Sequence, residues 1–305
     1  MAGALHKTGG APSRATVHRH FHRIAWAAVV LTFCVVVFGA FVRLSDAGMS
    51  CPDWPTCYGR AAWPQAPAEV ADHAATQIRP LETHKAWREQ VHRHIAAGLG
   101  VLVLVMALMA ARKRKHGALQ IIGASALVAA AIPAYMHGHI GLAFGLAGLG
   151  EAILLLAALR WSNIDLARAA VITLAVIIFQ ALLGKWTVTL LLKPVIVMAH
   201  LMGGLLTFSL ITWMAWRATH LPIRLANAMN VRRWLYAALA VLAVQIALGG
   251  WVSANYAALA CGGGGWSTGA SHYLDFPKCV GQWWPQADFR EGFVLWRGVG
   301  VDYEG

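Results

Sequence analysis

Seven apolar runs constrain this chain more than any other feature: residues 25–44, 91–111, 118–136, 140–160, 170–189, 194–215 and 234–253. A helix rises ~1.5 Å per residue, so about 20 residues cross the ~30 Å hydrocarbon core of a bilayer. No water reaches that core to satisfy stray backbone groups, and a helix closes its hydrogen bonds within one segment. The sequence therefore predicts an all-α integral membrane protein, a polytopic helical bundle of about seven transmembrane helices. With 58% hydrophobic and 12% charged residues, little is left for a separate soluble domain. The first run is too long and too poorly flanked for a cleaved signal peptide, so it counts as structure.

The net charge of +12 raises the question of nucleic acid. Its placement excludes that class. Residues 1–24, 111–118, 160–168 and 217–233 carry Arg14, Arg19, Arg23, Arg112, Lys113, Arg114, Lys115, Arg224, Arg232 and Arg233 against a single acid, Asp165. The alternate loops carry Asp46, Asp53, Glu69, Asp72, Glu82, Glu89, Asp275, Asp288 and Glu291. This alternation is the positive-inside pattern, and it puts the N-terminus in the cytoplasm. A bacterial inner membrane is expected. The basic prefix 1–24 also resembles an organellar address, although it is short for one.

Two outer loops repeat one pattern. Cys51 follows Gly39 by twelve positions, and Cys261 follows Gly249 by twelve. Asp53-Trp54-Pro55-Thr56-Cys57 answers Asp275-Phe276-Pro277-Lys278-Cys279, and Trp63-Pro64 answers Trp284-Pro285. The second copy differs mainly by the Gly-rich insert 262–274. Such spacing implies a duplicated unit with an internal pseudo-twofold repeat. The expected organisation is a basic N-terminus (1–24), a first helical unit (25–215), and the start of a second repeat (216–305). The loop cysteines lie on the oxidising side, where Cys51 with Cys57 and Cys261 with Cys279 read as disulfides. Zinc is the rival reading, and neither pair has the C-x2-C spacing. Cys34, inside the first run, reads as a packed small residue.

Polar residues near the membrane are costly and therefore functional candidates. Glu89 and His92 lie three apart on one helix face. His92 and His94 are about 200° apart around a helix, so only one turns inward. His92 is chosen because it keeps Glu89 as a neighbour. His200 lies about 9 Å into its span from Pro194. Two histidines at similar depth on two helices suit axial ligation of a haem iron, with Gly203 and Gly204 leaving room for a flat ring. The plainer readings are an interfacial His92 and a His200 bonded to a backbone carbonyl.

The sequence resembles the haem A synthases. The resemblance rests on Gly39-Ala-Phe-Val-Arg43 through Cys51-Pro-Asp-Trp-Pro-Thr-Cys57, Glu89-x-x-His92-Arg93, Gln180-Ala-Leu-Leu-Gly184-Lys-Trp186, Lys193-Pro194 with His200, Gln245-Ile-Ala-Leu-Gly249-Gly-Trp251, Gln282-Trp283-Trp284-Pro285 and Asp302-Tyr303-Glu304-Gly305. It implies that Glu89, His92 and His200 belong to a haem site where the C8 methyl of haem O is oxidised to a formyl group. It also implies a redox-sensitive Cys51–Cys57 pair, haem b at a second site, haem O synthase and oxidase assembly factors as partners, and a quinone or ferredoxin-like electron partner. A homo-oligomer is a further expectation, on which the sequence itself is silent. A methyl C–H is inert, so side chains can place the substrate and move protons but not carry the oxidation. Glu89 is the candidate proton acceptor, with a structural counter-ion as the alternative. Arg43 and Arg93, at outer helix ends, suit propionate groups or plain interfacial anchoring.

Two departures from the family pattern are expected to matter. The sequence stops at Gly305, before the helices that would supply the second haem's histidines, so those ligands are absent from it. The runs 118–136 and 140–160 form an additional hairpin around His137-Gly138-His139. Glu151, halfway along the second run, reads either as a proton or quinone contact or as a bond to a neighbouring helix. The competing functions are a bis-histidine cytochrome passing electrons from quinol, a transporter, and an inactive fragment.

Overall fold

A computed structural model of the chain describes residues 19–162, 165–221, 228–257, 277–279, 282–286 and 288–295. These form α1 (Phe21–Leu44), α2 (His73–Ile78), α3 (Thr83–Ala111), α4 (Gly117–Met136), α5 (Ile140–Arg160), α6 (Ala167–Thr189), α7 (Pro194–Thr219), α8 (Ala228–Ala254) and α9 (Phe289–Gly292), with a 3-10 turn at Pro67–Glu69. Among the described residues there is no strand, only two isolated bridges. Among the described residues, helices α1 and α3 to α8 are the seven long and apolar enough to cross a membrane. The chain is a polytopic, all-helical membrane protein.

Helices outrun the apolar segments that announce them. Helix α3 starts at Thr83 rather than at 91, and α8 at Ala228 rather than at 234. Hydropathy marks the hydrocarbon, whereas backbone hydrogen bonding continues into interfacial turns rich in Lys85, Arg88, Arg232 and Arg233.

The residues group into two compact units. The first comprises Met1–Phe41, Val91–Phe179 and Gly204–Arg232. Its core joins Phe21 of α1, Leu99, Val103 and Met106 of α3, Ile121 of α4, Leu154 of α5, Val171 of α6, and Ile211 and Met214 of α7. Alanines fill much of the rest, which lets backbones approach where apolar surface alone gives no drive to associate in lipid. The hairpin α4–α5 packs tightly at Gly150, where an added Cβ would lie 2.8 Å from the Ala124 carbonyl and 2.9 Å from Val128 Cγ2. Its turn is tight: Gly138 has φ +79°, and the His139 N–H donates to the Ala134 carbonyl at 2.9 Å. The neighbouring-helix bond expected of Glu151 is not formed at Oε1, which is buried without a hydrogen-bond partner, as are Gln120 Oε1 and Ser125 Oγ on α4. Arg114 pairs with Asp165 at 2.7 Å and also donates to the Ser162 carbonyl, tying the α3–α4 turn to the segment before α6. Cys34 is exposed on α1, contrary to the packed position expected; a small apolar residue in a membrane helix can face lipid as readily as core.

The second unit comprises Val42–Gln90, Gln180–Gly203 and Arg233–Gly305. Its small core is Cys51, Cys57, Tyr58, Val70 and Ala86, with Trp63 and Leu81 against it. Asp53 organises the loop: its carboxylate accepts the Tyr58 N–H at 2.6 Å, the Gly59 N–H at 2.9 Å and the Thr56 hydroxyl. Gly59 adopts φ +77° there, a conformation that favours glycine. The repeated pattern is a repeated turn. Cys57 and Arg60 exchange backbone hydrogen bonds of 2.8 and 3.1 Å, and Cys279 and Gln282 exchange a pair of the same lengths. Cys279 is disulfide-bonded. Cys261, the insert 262–274 and residues 302–305 lie outside the described residues. The short α9 is capped by the Asp288 carboxylate, and the Trp251 indole donates to the Gly292 carbonyl at 2.8 Å.

Candidate functional site

The start of α3 carries Glu89, His92, Arg93 and His94 within two turns. Helical phase separates them: Glu89 is 4% exposed, His92 and Arg93 are half-buried, and His94 is exposed. His92 turns toward α1. A Cβ on Gly39 would lie 2.9 Å from its Nε2, so only a glycine admits the ring this closely. The imidazole donates to the Val35 carbonyl and stacks on Phe38 with centroids 6.4 Å apart. A ring anchored to a carbonyl is fixed in orientation, as metal-binding histidines usually are.

His200, on α7, has a comparable seat. A Cβ on Gly184 of α6 would lie 3.3 Å from its Cε1. The sequences Phe38-Gly39-Ala-Phe41 and Leu183-Gly184-Lys-Trp186 thus each place a glycine under a histidine of a later helix. The notch expected at Gly203 is not open: the Gln180 side-chain amide occupies the place where a Cβ would stand. Around Gly204 the space is free within 4 Å. The two glycines are adjacent in sequence but face different directions, so their neighbourhoods differ.

Glu89 is held by the cysteine loop. Its Oε2 accepts the Cys51 N–H at 2.9 Å and the Ser50 hydroxyl at 3.1 Å. Cys51 and Cys57 form a disulfide with Cα atoms 4.8 Å apart, and both are fully buried. Bonded sulfurs offer no thiolate to zinc. Next to Glu89, Gln90 donates to the Ala61 carbonyl at 2.7 Å and the Pro55 carbonyl at 3.3 Å. Sequence reasoning missed Ser50 and Gln90; their adjacency to Cys51 and Glu89 was the available signal. Arg43 meets neutral partners: it donates to the Tyr256 hydroxyl at 2.7 Å and the Ser253 carbonyl at 2.9 Å, and lies 4.2 Å from the Tyr256 ring. Ser253 is the repeat counterpart of Arg43, so the ends of α1 and α8 meet at equivalent positions.

Half-buried imidazoles seated against glycines in each unit, and a buried carboxyl gripped by a disulfide loop, are polar features that a polytopic membrane protein carries at a cost. The family model for the cytochrome oxidase assembly protein matches residues 22–133 and 121–302. The chain belongs to that family. It is similar to the heme A synthase of Shewanella oneidensis, at 31% identity over 280 residues that cover 90% of this chain and 66% of the relative. It thus spans just under two thirds of that relative's length. No solved structure matches it. The two family matches overlap within α4, the first helix of the hairpin that the sequence marks as additional.

Proposed function

We propose that the protein acts as a haem A synthase, an oxidoreductase that converts the C8 methyl of haem O to a formyl group in the assembly of cytochrome oxidase. The observations that support this reading are the seating of His92 against Gly39, the seating of His200 against Gly184, and a carboxyl, Glu89, fixed by the disulfide loop. His92 and His200 are the residues that would hold the haem iron. Bound haem supplies the redox chemistry that no side chain here can perform.

The chain's own residues bind, orient and move protons. The Val35 carbonyl would hold the His92 ring in its orientation. Glu89 is the proposed catalytic residue and takes the proton released as the methyl carbon is oxidised. Arg93 and Arg43 are proposed to meet the propionates; for Arg43 that means exchanging the Ser253 carbonyl for a carboxylate, a stronger charge-assisted partner. The proposal assigns a second, b-type haem no ligand within residues 1–305. It places the chain in a bacterial inner membrane with the N-terminus cytoplasmic and the cysteine loops outside. Haem O synthase, other assembly factors, a quinone or ferredoxin-like electron partner, and homo-oligomeric association belong to the same proposal.

The test is a mass spectrum of haem extracted from cells that express the chain with haem O synthase. Formylated or hydroxymethylated haem is expected, and Glu89→Gln should lower it by about 10²-fold or more. Unmodified b-type haem alone would point instead to a cytochrome, and absence of pigment would point to a transporter or an inactive fragment.

A further inference from the structure

A buried carboxyl needs hydrogen-bond partners in each protonation state it visits. The two donors to Glu89 Oε2 differ in what they can offer. The Cys51 N–H can only donate, whereas the Ser50 hydroxyl has one hydrogen and two lone pairs and rotates to suit. Ser50 Oγ also lies 2.7 Å from the Ala47 carbonyl, which can only accept. While Glu89 is ionised, one hydroxyl hydrogen therefore faces two acceptors. When Glu89 carries a proton on Oε2 the count at the Ser50 hydroxyl closes: Glu89 donates to Ser50, Ser50 donates to Ala47, and the Cys51 N–H keeps its acceptor.

We infer that Ser50 is the positioning residue for Glu89, swinging its hydrogen from the carboxylate to the Ala47 carbonyl when Glu89 takes up a proton. The inference deepens the reading of Glu89 as proton acceptor and rests on it for its purpose; the exchange itself needs only this geometry. Several charged or titratable groups of the loop and the start of α3 have partners of their own. Asp53 holds the Tyr58 and Gly59 amides, Tyr58 donates to the Pro80 carbonyl, Arg79 donates to the Met49 carbonyl, and Lys85 pairs with Glu82 and Asp46. Ser50 itself is 4% exposed, so water does not substitute for it freely.

The experiment is infrared difference spectroscopy of the detergent-solubilised full chain, carboxyl-labelled at glutamate with ¹³C, between acid and neutral buffer. The Glu89 band is the one lost in Glu89→Gln. In Ser50→Ala the protonated C=O band is expected to move to higher wavenumber, because its hydrogen has lost its acceptor. Ser50→Thr, which keeps the hydroxyl, is expected to restore the original position. An intact Cys51–Cys57 disulfide and an unchanged helical circular dichroism spectrum show that each variant has folded. The inference is overturned if the band stands at the same wavenumber in Ser50→Ala and the parent, if Thr behaves as Ala does, or if Glu89→Gln removes no band. Haem product from Glu89→Gln cells reports on the functional reading alone, so the two can fail separately.

Discussion

At the scale of single residues, glycines decide what the histidines can do. Gly39→Ala would put a Cβ 2.9 Å from His92 Nε2, and backbone or ring must move. Overpacking of this kind costs about 1–3 kcal/mol. The expected result is a purified protein with lowered thermal stability and an altered or weakened low-spin haem spectrum, read by scanning absorbance during a melt. Gly145→Ala on α5, with nothing within 4 Å, is the control expected to leave both unchanged. Tyr58 makes a second residue-level case. Burial pushes its phenol above the ordinary 10.0, opposed in part by Arg79. A folded value above the unfolded one means the contribution is fully present below pH 10.0 and is lost as pH rises through the folded value. The Cys51–Cys57 disulfide should therefore become reducible by a phosphine in strongly alkaline buffer, with that step missing in Tyr58→Phe.

At the scale of elements, the α4–α5 hairpin depends on one missing side chain. Gly150→Leu collides with the Ala124 carbonyl and Val128, and neither backbone has room to retreat without parting the helices. The expected cost is again about 1–3 kcal/mol, seen as a lower melting temperature in detergent. If Gly150→Leu abolished haem binding while leaving stability intact, the hairpin would belong to the site after all. The helices were legible in the sequence because each apolar run is a local property of about 20 residues. Their ends were not: the extra turns of α3 and α8 are polar, and only continued backbone bonding reveals them. The short α2 escaped notice because six residues carry too little periodicity to register.

At the scale of the whole molecule, the charge alternation makes a checkable statement about orientation. Ala68→Cys, in the exposed part of the first cysteine loop, should react with an impermeant maleimide added outside intact cells stripped of their outer membrane. Lys113→Cys, between α3 and α4, should react only after the membrane is opened. The opposite pattern would reverse the topology and put the disulfide loop in a reducing compartment, where such bonds are rare.

The sequence by itself determined seven spanning helices, their alternating charge and the doubled loop, because hydrophobic length, charge and turn spacing all act within short stretches of chain. It brought Glu89 and His92 to one helix face and nominated His200 by depth. Only the tertiary structure decided that His92 rests on Gly39, that Gln180 fills the space beside Gly203, and that Ser50 reaches Glu89 across 39 positions. Those contacts join segments far apart in the chain, and they depend on which small residue leaves a gap at the one place where a distant polar group arrives.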